Sequence, residues 1–404
     1  MKAGWRLIEL HNICLFENGD RGENYPSKSA QTTSGIPFIN AGHLTDDGID
    51  FSSMNYISKE RFNLLGNGKI QPNDFLFCLR GSLGKFACVD NLTEGAIASS
   101  LVIVRPTEQV LRGFLSAYFQ SDICVNMIEK YKNGAAQPNL SAGNLKKFLI
   151  PLPPLPEQQR IVAILDEAFE TIAAARANAE QNRQNARALF ESYLQSVFSQ
   201  RGDGWTEKPL GEMATFRNGV NFTKSSQGEP IKILGVKDFQ DYYWAPLNSL
   251  DSIIPDGTLP DTDTLQQNDI VFVRSNGNPE LIGRCLLIGE VQERTTFSGF
   301  TIRARRFTEE VLPQYLCHFL KSSHIRRELV DGGNGANIRS LNQGALSKLR
   351  INFPVALSEQ ERIVEQLETM QSETQHLESL YQRKMAALDE LKQSLLQQAF
   401  SGQL

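Results

Sequence analysis

The feature that most constrains this 404-residue chain is that it repeats itself at a spacing of about 200 residues. Gly4-Trp5 returns as Gly204-Trp205, and Phe16-Glu17-Asn18-Gly19 as Phe216-Arg217-Asn218-Gly219. The apolar run Asp74-Phe75-Leu76-Phe77-Cys78 returns as Asp269-Ile270-Val271-Phe272-Val273, and the stretch from Ser99 to Arg105 as the one from Gly299 to Arg305. Asn133-Gly134-Ala135 matches Asn334-Gly335-Ala336. Leu155-Pro156-Glu157-Gln158-Gln159-Arg160-Ile161-Val162 matches Leu357-Ser358-Glu359-Gln360-Glu361-Arg362-Ile363-Val364, and Phe198-Ser199 matches Phe400-Ser401. Each half therefore reads as a globular module followed by a long helix. The expected partition is a module over residues 1–152, a helix over 153–201, a module over 202–356 and a helix over 357–404.

The modules mix short β-type runs with helical stretches over residues 113–132 and 313–330, an α/β pattern. Their sequences share landmarks and little else. Two drifted copies of one stable fold, or one scaffold aimed at two ligands, both fit that observation.

The long helices are sharply bounded. The proline-rich run from Pro151 to Pro156 ends the first module, and Glu157 suits the positive end of a helix. Ser358 and Glu361 have the spacing of a capping box, and Gly202 and Gly402 suit C-terminal stops. Heptad stripes run between these limits. The first comprises Ile161, Leu165, Ala168, Ile172, Ala175, Ala179, Asn182, Ala186, Leu189, Tyr193 and Ser196. The second comprises Ile363, Leu367, Met370, Thr374, Leu377, Tyr381, Lys384, Leu388, Leu391, Leu395 and Gln398. Steps of four and three mark a coiled-coil seam. The first seam is small in its middle and the second bulky, so small facing large predicts that the two helices pair with each other. An antiparallel pair, roughly 64 Å long for about 43 residues, would carry the modules at opposite ends. The expected fold class is α+β: two similar mixed α/β domains joined by two long helices that form an antiparallel coiled coil.

Composition narrows the function mainly by exclusion. The apolar share of 41% and charged share of 22% suit a globular protein. No apolar run reaches membrane-spanning length, the N-terminus lacks a signal-peptide core, and the six cysteines (14, 78, 88, 124, 285 and 317) form no Cys-x-x-Cys pair. A reducing cytoplasm, with no membrane partner, is the expected setting. The net charge of −5 sits mostly in residues 357–404, which are net −4, while the modules are near neutral and free to carry a basic face. There is no phosphate loop; Gly81-Ser82-Leu83-Gly84-Lys85 is too short. There is no Asn-Pro-Pro-aromatic motif, no Gly-x-Gly-x-x-Gly loop, and no metal spacing among His11, His43, His318, His324 and His376. The chain is read as non-catalytic, with no metal or cofactor of its own.

Two variable modules and two similar long helices resemble the specificity subunits of Type I restriction–modification systems, over the whole chain. Leu140-Ser141 followed by the stretch from Leu145 through Lys146, Lys147, Phe148 and the prolines to Gln158, and the ending Leu395-Leu396-Gln397-Gln398-Ala399-Phe400-Ser401-Gly402-Gln403-Leu404, carry that resemblance. The second junction, Ile351-Asn352-Phe353-Pro354, departs from it by lacking the multiple prolines. The resemblance implies that each module is a target-recognition domain reading one half of a bipartite sequence in double-stranded DNA. It implies that the helices set the unread gap, and that the whole directs adenine methylation and restriction in phage defence. The implied partners are two methylation subunits holding S-adenosylmethionine and, where present, two restriction subunits using ATP and Mg. A scaffold binding only proteins, a methylation-only complex, and an enzyme of unfamiliar class are the alternatives.

Base edges are read by Arg and Lys at guanine and by Asn and Gln at adenine. Candidate DNA-binding residues in the first module are Arg21, Lys28, Arg80, Ser82, Lys85, Gln137 and Asn139. The matching stretches of the second supply Asn221, Lys224, Arg274, Asn276, Asn278, Arg284, Asn337 and Arg339, and Lys237 follows the next expected strand. Gly-Asn loops are also simply turns. Arg303, Arg305 and Arg306, in a strand-like run, are expected to meet phosphate or form salt bridges.

Overall fold

The computed structural model describes residues 4–45, 48–90, 92–134, 138–200, 202–223, 226–240, 243–331 and 340–404. Gln137, Lys224, Asn337 and Arg339 lie outside the described residues. Contacts divide the chain into two compact units, Met1–Ala179 with Arg383–Leu404, and Glu180–Gln382.

The first unit carries strands β1 (Arg6–Glu9), β2 (Cys14–Asn18), β3 (Ile36–Ile39), β4 (Leu44–Thr45), β5 (Gly48–Ile49), β6 (Asn55–Ile57), β7 (Phe75–Cys78), β8 (Phe86–Cys88), β9 (Ala96–Ile97), β10 (Leu101–Pro106) and β11 (Leu149–Leu152). Helix α1 (Lys59–Leu64) lies between β6 and β7, α2 (Arg112–Gln120), α3 (Asp122–Tyr131) and α4 (Ala142–Leu145) lie between β10 and β11, and the long α5 (Leu155–Phe198) follows β11. An antiparallel sheet runs β2-β10-β7-β8; β6-β3-β9 forms a second, in which β3 and β9 are parallel. Strand β7 is a continuous apolar run because both its faces are buried. Phe75 and Phe77 join the core under α2 and α3, while Leu76 and Cys78 join the core facing β9.

The second unit repeats the plan with β12 (Trp205–Pro209), β13 (Ala214–Asn218), β14 (Ile231–Leu234), β15 (Asp251–Ile253), β16 (Ile270–Val273), β17 (Cys285–Leu287), β18 (Thr295–Phe297), β19 (Thr301–Arg306) and β20 (Arg350–Pro354). Helices α6 (Pro313–Lys321), α7 (Ser323–Asp331) and α8 (Gln343–Lys348) precede the second long helix, α9 (Leu357–Ser401). Its sheets run β13-β19-β16-β17 and β15-β14-β18, with β14 and β18 parallel.

The repeated landmarks have structural jobs. Asp74, fully buried, takes a two-pronged hydrogen bond from Arg105 at 2.7 and 2.8 Å, and Asp269 takes the same from Arg305. That pairing holds β10 and β19 to the turn entering the central strand, where Asn73 and Asn268 adopt φ of 70° and 72°. Gln158 and Gln360 are buried at the starts of α5 and α9. Gln158 accepts from the Leu111 amide and donates to the carbonyls of Gln109 and Pro153; Gln360 does the same with Leu312, Glu310 and Pro354. The Glu-Gln of the repeat is thus a joint between module and helix, each glutamine amide pairing three backbone groups there.

Each of the two shorter helical stretches breaks where a single helix was expected. Ser121 and Ser322 sit in extended conformation between the paired helices, their hydroxyls donating to Tyr118 and Phe319 carbonyls at 2.7 and 2.8 Å. Ser121 also caps α3, whose first turn carries Asp122.

Helices α5 and α9 pair antiparallel within each unit. In the first, Arg160 donates to the Leu404 carbonyl and Arg176 to Asp389 at 3.1 Å; in the second, Arg187 pairs with Glu378 and Tyr193 with Gln366. The heptad seam holds only in part. Ile161, Leu165, Ile172, Ala179 and Ala186 are buried as expected, but Asn182, Leu189 and Ser196 are exposed, and Leu194, Val197 and Phe198 are buried instead. In α9, Lys384 and Leu391 face solvent while Met385, Leu396, Ala399 and Phe400 are buried. A straight helix drifts about 20° per heptad from a strict seven-residue repeat. Towards their C-termini, moreover, both helices bury side chains in a module core. Phe400 packs on Phe114 and Tyr118, with ring centroids 5.0 and 5.9 Å apart, and Phe198 on Tyr315 and Phe319 at 5.4 and 5.3 Å.

Candidate nucleic-acid interface

In the first unit three connections meet at one end of the main sheet. Gly19, just past β2, crosses the β9–β10 turn so closely that a Cβ there would lie 2.8 Å from the Ile97 and Ala98 carbonyl oxygens. Arg21 follows and reaches the Ser99 carbonyl at 3.5 Å. The loop leaving β7 is tied to the same turn, since Leu79 donates to the Ser100 carbonyl at 2.9 Å. Leu140 in turn donates to the Leu79 carbonyl, which brings Asn139 opposite Arg80 in an isolated bridge. Arg21, Arg80, Ser82 and Asn139 are all exposed here, so the structure unites candidates separated by more than a hundred residues.

Two first-module candidates sit elsewhere. Lys85 is half-buried and lines a cavity of about 520 Å³ with Arg112, Ser116 and Lys392, facing the long helix. Lys28 is exposed on a 3-10 turn, Lys28–Ala30, and no hydrogen bond links it to the other candidates among the described residues.

The second unit builds the corresponding end with different chemistry. Gly219 crosses the β18–β19 turn, where a Cβ would lie 2.2 Å from the Phe297 and Ser298 carbonyl oxygens. Asn221 follows, its side chain lying over Gly299. Arg274 donates its amide to the Phe300 carbonyl at 2.8 Å and its Nη1 to the Gly299 carbonyl at 3.3 Å, and Leu341 donates to the Arg274 carbonyl. These bonds place Arg274 in the position of buried Leu79, one residue before that of Arg80; the loops correspond, but the arginines do not. Asn276 and Asn278 use their side-chain oxygens to accept the amides of Asn278 and Glu280, shaping the turn at Pro279–Leu281. Arg284 matches Lys85. It is half-buried, donates to the Glu280 carbonyl at 3.3 Å, and lines a cleft of about 500 Å³ with Glu191, Lys321, Arg326 and Glu378. Lys237 is exposed and paired with Asp251, beside a cavity of about 380 Å³ lined also by Phe222, Ile233 and Ser298.

The arginine run in β19 does not face outward as a whole. Arg305 forms the expected salt bridge, with Asp269. Arg303 is buried instead of meeting phosphate: its Nη1 donates to the Thr262 and Thr264 carbonyls, and burial pushes its pKa below the usual guanidinium range. Arg306 donates to the Thr308 and Val311 carbonyls. Sequence reasoning missed Phe300, 61% exposed on the turn between Gly299 and Thr301. The signal available was the exchange of Ser99-Ser100 for Gly299-Phe300 between the repeats.

A family model for the Type I restriction modification DNA specificity domain matches residues 2–181 and again 202–383. The chain is 23% identical over 421 residues to the specificity subunit of the Type I restriction enzyme EcoKI of Escherichia coli K12, covering 100% of this chain and 90% of that protein. It is equally similar, over the same shares, to the StySPI specificity subunit of Salmonella potsdam. Among solved structures, one described in work on assembly and conformational transition of the type I R-M system superposes with a TM-score of 0.80 at 20% identity, covering 100% of this chain and 99% of the other. The HsdS subunit of Thermoanaerobacter tengcongensis superposes at 0.58 with 21% identity, covering 100% and 98%. No helix among the described residues is long and apolar enough to cross a membrane.

Proposed function

The chain belongs to the Type I restriction modification DNA specificity family, matched once in each half, and from that premise we propose that each module reads one half of a bipartite DNA target. The observation that supports this reading most directly is the gathering of Arg21, Arg80 and Asn139 in one module, and of Asn221 and Arg274 in the other, at the same end of the same sheet. Arginine and amide side chains on hydrogen-bonded turns are what direct base reading requires. The paired α5 and α9 act as the spacer. Helix α5 alone, with 44 residues, is roughly 66 Å long, beyond the roughly 34 Å that separates half-sites one turn apart. Removing one heptad from both helices shortens the unread gap and leaves each half-site unchanged; altered half-site bases would sink the spacer role.

Adenine methylation, and restriction where a restriction subunit joins, are assigned to partners: methylation subunits that hold S-adenosylmethionine, and translocating nucleases that use ATP and Mg. The chain itself directs them and performs no chemistry, in the cytoplasm where the DNA lies. Methylome sequencing of cells with and without this chain tests the proposal. Loss of one bipartite adenine-methylation motif is the expected result; an unchanged methylome overturns it in favour of a protein-only scaffold.

A further inference from the structure

We propose that Phe300 is an aromatic wedge with which the second module probes the stacking of one base-pair step in its half-site. The inference rests on the DNA-reading role argued above and adds to it a mode of recognition that only one of the two modules possesses.

The ring is 61% exposed, so the fold gains little of the roughly 1.5–3 kcal/mol that burying a phenylalanine supplies. Its backbone, by contrast, is held firmly. The Phe300 carbonyl accepts from the amides of Arg274 and Ser275, and the Phe300 amide donates to Ser298 Oγ at 3.3 Å. Thr301 donates to the Ser298 carbonyl at 2.8 Å, and Gly299 to the Val220 carbonyl at 2.7 Å. An apolar ring is thereby presented at the tip of a turn fixed on both sides.

Its surroundings match DNA. The Arg274 Nη1 donates to the Gly299 carbonyl at 3.3 Å, and the Asn221 side chain lies against Gly299. A cation for phosphate or guanine, an amide for base edges, and an exposed ring on the same turn form a complementary set. Exposure alone does not make this argument. Phe307 is 62% exposed but sits past the opposite end of the six-residue β19, about 20 Å along the strand.

Proteins that insert apolar side chains between base pairs unstack the step and kink the duplex, at least cost at pyrimidine–purine steps. The second half-site should therefore hold such a step opposite Phe300, selected by deformability. The first module has Ser100 at this position, bonded to Leu79 as Phe300 is to Arg274, and reads its half-site without a wedge.

The test uses the subunit assembled with its methylation partners, on duplexes carrying the methylome-defined target with 2-aminopurine scanned through both half-sites. Apart from the target adenines, which methylation partners flip out of the stack in both half-sites, the wild type should raise the fluorescence at one step, and in the second half-site only. F300S should abolish that rise and weaken binding by between about fivefold and a hundredfold, the range for losing one stacked aromatic. F300W should restore both, and F307S should change neither. A signal and affinity unaltered in F300S overturn the wedge while leaving DNA reading intact. A wild-type complex with no preference for the target overturns the underlying reading and the wedge with it.

Discussion

The two modules are built on one plan, and the contrast between what they keep and what they change separates frame from reader. Both keep the Asp–Arg clamp on the central strand, the buried glutamine at the helix joint, the glycine that crosses the turn, and the phenylalanine from a helix end in the core. The connections beyond the central strand differ. Residues 79–85 join β7 to β8, whereas 274–284 join β16 to β17, four residues longer and carrying a 3-10 turn. Leu79 gives way to Arg274 and Ser100 to Phe300 at the tip; Ile103 gives way to Arg303 and Ala117 to His318 in the core. The frame tolerates polar exchanges even inside, provided the clamp and the joint remain.

The sharpest way to break this comparison is to cut the clamp on each side. Asp74→Ala and Asp269→Ala each leave a mostly buried arginine without its carboxylate, and each should cost about 3–5 kcal/mol in denaturant unfolding. A large loss in one module and none in the other would refute a shared frame.

The His318 exchange predicts a pH dependence confined to the second module. Burial pushes the His318 imidazole down to about 3 from its ordinary 6.5, and its Nε2 has no hydrogen-bond partner among the described residues. The unfolded chain therefore binds a proton that the folded chain refuses between those values. Stability is complete above about pH 6.5 and falls, by up to about 1.4 kcal/mol per pH unit, as pH drops towards about 3. Hydrogen exchange of α6 should show that slope, and H318A, carrying the first module's residue, should lack it.

At the tips, Arg80→Ala should cost about 1–3 kcal/mol at the first half-site and relax base choice there, while Arg274→Ala does so at the second. Methylation of targets with single changed bases reads this directly. Equal loss on every sequence would make the arginine a phosphate contact. The smallest effect is expected from Arg303→Ile, which restores the first module's residue. Replacing a desolvated guanidinium with a fitted apolar side chain should be near neutral or stabilising in thermal unfolding. A loss above about 3 kcal/mol would show that the Thr262 and Thr264 contacts hold the sheet together.

Much of the frame was readable from the chain because it depends on local chemistry. The apolar run of β7 and the Glu-Gln pair repeat with their spacing intact, and the prolines before α5 mark the first junction. What stayed hidden depends on distant contacts. Ser121 and Ser322 were absorbed into single helices because the apolar period continues across them, although Ser121-Asp122 was a legible cap. Leu189 and Leu391 fit the heptad but miss the buried face, since helix drift and the module cores set which side turns inward. The candidate site was legible in residue type and not in place. Arg80 and Arg274 share a loop, but aligning Asp74 with Asp269 already sets Arg274 opposite Leu79, and the bonds to Ser100 and Phe300 agree. Lys85 and Arg284 resembled loop cations, yet the glycines before them turn both towards the long helix.

One detail of the sheets bears on how such a chain can change. In each module the first strand lies beside the last: Arg6 is opposite Leu152 and Trp205 opposite Pro354. Entrance and exit of about 150 residues are thus neighbouring rungs of one ladder, roughly 5 Å apart. A module is a cassette with adjacent splice points, so exchanging the sequence between them for another of the same plan alters what is recognised without lengthening, turning or re-threading the chain that carries it.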